Sequence, residues 1–179
     1  MRRRAEMTLL LVWGMVLALE AQEKPSIGLR PGDPTPPLHA TAVNGPYQGK
    51  RVCYTTVYQG APTMYLFVSD EKVAPLVAQL DKVLQKHPSV RGIIVAVAGP
   101  DYAPRLHLFV KLHQLKTPLA YLEKGSQDPD LKPWKLPSVR GLAVIVAARK
   151  KVVETFLNPS EKDLPRIEKA IAKVEGGRR

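Results

Sequence analysis

Cys53 is the only cysteine in a chain of 179 residues. A single thiol excludes an intrachain disulfide, a C-x-x-C redox pair and a cysteine-based zinc site. Any redox chemistry at Cys53 would be that of a one-cysteine nucleophile, which needs an outside thiol to recycle a sulfenic acid. The four histidines, His39, His87, His107 and His113, have neither the i, i+4 spacing of a helix nor the i, i+2 spacing of a strand that aims two rings at one metal. Asp128-Pro129-Asp130 lacks the further oxygen ligands and the glycine of a calcium loop and reads as a solvated turn. The chain contains no phosphate-cradling glycine loop, dinucleotide fingerprint or nucleophile elbow. These residues predict no metal and no cofactor, and they leave Cys53 as the one candidate catalytic residue.

The elements that position these groups can be read from periodicity. Residues 51–57 carry β-branched and aromatic side chains and read as a strand. After the turn Gln59-Gly60-Ala61-Pro62 it pairs as a hairpin with the apolar run 63–68. Alternation then sets Cys53 on the face opposite Val52 and Tyr54, without a helix N-terminus to lower its pKa, so a quiet thiol is predicted. Lys50 and Arg51 are the adjacent cations. Val73, Leu76, Val77, Leu80, Val83 and Leu84 recur at helical spacing and predict a helix over 70–87, capped by Ser69 or Asp70 and stopped by Pro88. A strand at 93–98, a helix capped by Asp101 with Leu106, Phe109, Val110 and His113 on one face, and a short strand at 117–122 follow. The segment 123–135 reads as a polar loop, and 142–147 with 151–156 as an antiparallel pair. A last helix, with Ser160 and Asp163 as alternative caps, carries Ile167, Ala170, Ile171 and Val174 inward. Pro-Ser-Val-Arg-Gly occurs at both 88–92 and 137–141, but the sequences between the copies differ, so both read as strand entries and not as a repeat.

The N-terminus reads as an address. Arg2, Arg3 and Arg4 precede an uncharged apolar run from Met7 to Leu19, which ends at Ala18-Leu19-Glu20-Ala21. That is the order of a secretory signal, and the run falls short of the ~20 residues needed to cross a bilayer. Residues 1–21 are therefore expected to be a cleaved signal, 22–37 a proline-rich extended lead-in, and 38–175 one domain. No permanent membrane span is expected after cleavage, and the alternative is an uncleaved anchor. The formal charge of +11, from 27 basic and 16 acidic residues, is spread along the chain with clusters at 111–116, 149–151 and 178–179. For an exported protein, periplasmic or extracellular, this charge suits an envelope protein or an anionic surface better than nucleic acid. Tyr47, Tyr54, Tyr58 and Tyr65 are expected to pack as core and rim.

The order hairpin, βαβα, ββα, with Gly32-Asp33-Pro34-Thr35-Pro36 before it, resembles the thioredoxin-like superfamily in its peroxiredoxin and redoxin branch. Gly49-Lys50, the proline-containing helix start Lys72-Val73-Ala74-Pro75-Leu76 and Thr117-Pro118-Leu119 are similar to segments of the same families. Residues 49–60 also resemble a group of exported bacterial redoxin-like proteins with a C-Y-x-C hairpin, in which the second cysteine position is Thr56 here. The resemblance implies an α/β three-layer sandwich, with a mixed sheet of four or five strands and an N-terminal hairpin extension. It also implies a reactive cysteine just after the first core strand and a cis-proline opening the strand opposite. Here the first window reads Phe67-Val68-Ser69-Asp70-Glu71-Lys72, and Arg140-Gly141 stands at the second. The expected function is that of a binding or structural module that has lost the dithiol site. The alternative is a one-cysteine oxidoreductase or peroxidase using Cys53 with an external reductant.

Overall fold

A computed structural model describes residues 28–136 and 140–177. The expected signal at 1–21 and the first part of the lead-in lie outside the described residues. Seven strands form one sheet: β1 (His39–Ala42), β2 (Arg51–Cys53), β3 (Thr63–Val68), β4 (Arg91–Ala96), β5 (Leu119–Tyr121), β6 (Leu142–Ala148) and β7 (Lys151–Leu157), in the order β2-β1-β5-β4-β3-β6-β7. The helices are α1 (Tyr54–Val57), α2 (Ala74–Gln85), α3 (Ala103–His113) and α4 (Leu164–Gly176). β3, β4 and β5 run parallel, with Tyr65 beside Ile93 and Val95 beside Ala120. β6 is antiparallel to β3 and β7 to β6, as the sequence predicts.

Two expectations are corrected. The sheet has seven strands, not four or five, and the N-terminal hairpin pairs β1 with β2, His39 opposite Cys53 and Ala40 opposite Val52. The expected pairing of 51–57 with 63–68 does not form, because β3 has β4 and β6 as its neighbours. β1 escapes a periodicity search because it is short and alanine-rich, yet Ala40 is fully buried in the core layer with Tyr54 and Trp134. After Cys53 the chain leaves the edge strand. The Tyr54 amide still donates to Leu38 O at 2.8 Å, and the next residues wind into α1, which drops the Tyr54 ring into the core. Tertiary burial overrides the strand propensity of Tyr54-Thr55-Thr56-Val57.

Strict alternation splits the strands between two cores. Met64, Leu66, Ile94, Val144 and Val146 face α2 and α4, while Tyr65, Phe67, Ile93, Val95 and Ile145 face the opposite layer. That layer is built without a long helix. The 123–135 segment, expected to be a polar loop, places Leu131 and Trp134 under the sheet with Leu136. The Trp134 ring lies 4.9 Å from Tyr65 and 5.1 Å from Phe67, and its Nε1 donates to Pro37 O at 3.0 Å. The described part of the lead-in turns at Pro31-Gly32 and lies against the β6–β7 turn and edge strand β7: Gly32 N donates to Val152 O at 2.8 Å and Thr35 N to Lys150 O at 3.0 Å. An otherwise open edge is thereby covered.

The helix ends are held by polar groups. Asp70 caps the turn leading into α2 by accepting from Lys72 N at 2.9 Å, with Pro75 in the first turn. Asp101 does not cap α3; Gly99 opens that segment with no side-chain cap. Ser160 and Asp163 act together before α4 as a reciprocal capping box. Within the apolar stripe of α2, Asp81 is buried and accepts the amides of Lys116 and Thr117, tying α2 to the entry of β5. A buried carboxylate is tolerable only with such donors.

Candidate functional site

At the carboxyl end of β3 the chain reads Ser69-Asp70-Glu71 and turns into α2. Opposite stands Gly141, the residue before β6, with φ at +95°. The Ser69 amide donates to Gly141 O at 2.9 Å, and the Gly141 amide donates to Ser69 Oγ at 2.8 Å. A serine hydroxyl and a backbone turn thus close the gap between the two strand ends. The first amides of the helical segment, which would lower the pKa of a thiol there, are in part taken by the Asp70 carboxylate. Glu71 stands 3.9 Å from Arg105 of α3, and both side chains are solvent-exposed.

Beside this position a cavity of about 430 Å³ lies between the ends of β3 and β4 and the inner side of α3. Val68, Ala96, Leu106 and Phe109 supply an apolar wall, with Arg105 and His113 also among the lining residues. α3 has no fully buried residue, and Leu108 and Leu112 on it are 55% and 69% exposed. The predicted shared face of α3 forms: Leu106, Phe109 and Val110 pack against the core, and half-buried His113 lies 4.6 Å from the Phe109 ring beside the same cavity.

Cys53 sits elsewhere, on the edge hairpin. It is half-buried and ends β2, inside a strand as expected, but it is also the residue before α1, so a helical turn that the sequence pattern does not predict starts directly after it. Burial pushes its thiol up, but the Thr56 hydroxyl, donating to Sγ at 3.3 Å, and the amides of Leu38, Thr56 and Thr55 more than offset this, leaving the pKa below its ordinary value. The residue in the second cysteine position of the C-Y-x-C pattern therefore acts as a hydrogen-bond donor to the first. Sequence spacing marked Thr56 but not its contact, which depends on α1 forming.

The histidines are dispersed. His39 Nδ1 lies 2.9 Å from Asp130, whose carboxylate also accepts the His39 amide, so Asp130 pins β1 to the segment after β5. His87 pairs with Glu175 at 2.6 Å. Among the described residues no three His, Cys, Asp or Glu side chains converge as metal ligands.

No family model matches the chain, and no curated protein matches it. Solved structures do. A protein assigned as a candidate protein disulfide isomerase from Bacteroides thetaiotaomicron superposes with a TM-score of 0.70 at 17% identity, over 84% of this chain and 94% of that one. The chain has the thioredoxin-like fold. A thiol peroxidase from Chromobacterium violaceum matches with a TM-score of 0.61 at 18% identity, over 83% of this chain and 89% of its own. A secreted disulfide oxidoreductase of Mycobacterium tuberculosis matches with a TM-score of 0.59 at 15% identity, over 76% and 95%. The thioredoxin-like neighbours named here are thiol oxidoreductases or peroxidases, whereas this chain holds one thiol, located outside the β3–α2 junction.

Proposed function

We propose that this protein is an exported thioredoxin-like domain that has lost dithiol chemistry and acts as a binding or structural module. One observation carries the reading: the β3–α2 junction holds Ser69-Asp70-Glu71-Lys72, with Ser69 bonded to Gly141 across the gap. The partly apolar cavity beside that junction offers a surface for a ligand or partner, and an envelope protein or an anionic surface is the partner class that suits the charge. Export is supported by the order of residues 1–21 and by the secreted neighbour. Among the described residues no helix is long and apolar enough to cross a membrane.

Restoring the thiols tests the loss. The wild type is expected to show no disulfide reductase turnover. The double variant Ser69→Cys/Lys72→Cys is expected to gain it, because i, i+3 cysteines at a helix start are within disulfide reach. Turnover by the wild type that disappears in Cys53→Ser would overturn the reading. That outcome would favour the second one, a one-cysteine oxidoreductase or peroxidase recycled by an external thiol, which rests on the Thr56 hydroxyl and backbone amides that lower the Cys53 pKa. Intact mass of the exported material tests cleavage near Ala21.

A further inference from the structure

A cavity of about 800 Å³ opens at the opposite end of the sheet, where the parallel strands β3 and β4 begin. Neither Cys53 nor Ser69 lines it. Its cations come from three separate elements: Arg91 starts β4, Arg149 lies in the β6–β7 turn and Lys173 is on α4. Among the described residues no acidic side chain lines the cavity. Elsewhere Lys86, Lys135, Arg105 and Arg166 each have a carboxylate within 4.0 Å, but these three cations have none among the described residues. Arg149 is met in part by the Gly177 carbonyl at the end of α4, but no carboxylate offsets the three charges, and gathering them at one concave site costs repulsion that a bound anion removes.

The walls between the charges are apolar. Val57, Val153, Val174 and the rings of Tyr47 and Tyr58 line the space. Tyr58 is fixed by its hydroxyl, which donates to Gly92 O at 2.7 Å, and burial raises its pKa, so it remains a neutral wall. Tyr54 packs edge-on against both rings from inside, at 6.4 and 5.6 Å.

The turn that carries Arg149 is built at a conformational cost. Arg149 and Lys150 both have left-handed backbones, with φ of 53° and 60°, in a two-residue hairpin turn where Asn-Gly is the least strained choice. The turn is nonetheless held firmly: Arg149 N donates to Gly60 O at 2.8 Å, and its guanidinium donates to Gly177 O at 2.6 Å. The Arg149 side chain both bonds to the end of α4 and lines the cleft.

We infer that this cleft binds a small organic anion with an apolar body, of the carboxylate or phosphate-ester class. The volume is that of a small-molecule site, the cations meet the head group and the tyrosine–valine wall meets the body. The inference does not rest on the loss of redox chemistry, since the cleft and the β3–α2 junction share no lining residue.

Titration calorimetry with monomeric decyl phosphate tests it, with decanol and inorganic phosphate as the two half-ligands. Saturable one-to-one binding is expected, with each half-ligand weaker by about tenfold or more and with about a tenfold loss of affinity per cation removed in Arg91→Gln/Lys173→Gln. Arg149→Asn, whose side chain tolerates the left-handed backbone but loses the bond to Gly177 O, is a second variant expected to lose affinity, with its unfolding midpoint measured alongside to show that the protein is folded at the binding temperature. Sedimentation with phosphatidylglycerol vesicles distinguishes the sources. Co-sedimentation lost in the double variant assigns the anion to a lipid head group, and its absence assigns it to a free metabolite. Absence of saturable decyl phosphate binding, equal binding of inorganic phosphate, or affinity unchanged in the double variant would overturn the inference.

Discussion

Ser69 and Gly141 hold each other across the end of the sheet: the Ser69 amide donates to Gly141 O at 2.9 Å while its hydroxyl accepts the Gly141 amide at 2.8 Å. The resemblance to redoxins implies a reactive thiol on one side of this gap and a cis-proline on the other. Here a short polar side chain and a glycine close it, and the junction is bonded to itself.

Ser69→Ala removes the acceptor of the Gly141 amide. The site is solvent-exposed, so urea unfolding should show a loss of only about 0.5–1.5 kcal/mol. Gly141→Ala should cost about 1–3 kcal/mol, because φ is +95° and an added Cβ would meet Asn158 Oδ1 at 3.1 Å. A Gly141→Ala protein as stable as wild type would show that the turn is not held in this conformation in solution.

Alkylation of Cys53 should rise with pH through a midpoint below 9.0, since hydrogen bonds to sulfur outweigh its burial. Thr56→Val deletes the hydroxyl donor and should move the midpoint upward, slowing labelling near neutrality. The sign for stability follows: a depressed folded pKa adds stability above pH 9.0, and this is lost as pH falls through the folded value. Identical midpoints for wild type and Thr56→Val would mean that the hydroxyl does not reach the sulfur.

Trp134→Ala should destabilise the domain by about 3–5 kcal/mol, because the indole is fully buried against Tyr65 and Phe67. Trp134→Phe should cost less, losing mainly the bond to Pro37 O. Thermal unfolding followed by near-ultraviolet circular dichroism reads both. Little loss in Trp134→Ala would show that residues 123–135 do not form a layer of the core.

Glu175 ties α4 to the segment before β4. The Ser89 hydroxyl and then His87 hold its carboxyl below the usual 4.5. Its contribution is therefore present above pH 4.5 and is lost as pH falls through the lower folded value. Glu175→Gln should flatten that acid limb of the stability curve, and carboxyl chemical shifts against pH should place the titration below 4.5. A titration at or above 4.5 would contradict the Ser89 and His87 contacts.

Much of the frame was legible in the chain. The apolar runs at 63–68 and 142–147, the helical spacing from Val73 to Leu84 and the punctuation by Pro88 are local signals, so the core strands, α2 and α4 followed from periodicity alone. The number of cysteines also settled, before any coordinates, that no internal dithiol can form. Tertiary packing decided the rest. β1 forms because β2 and β5 pair on its two sides, although its own residues are poor strand formers. Residues 54–57 wind into α1 because the core takes the Tyr54 ring, and that winding is what places Thr56 against Cys53. Arg91, Arg149 and Lys173 are far apart in sequence, and only the fold brings them to one cleft. Periodicity reports how a segment meets its own neighbours in the chain. It carries no term for contacts between distant segments, and those contacts make both candidate sites.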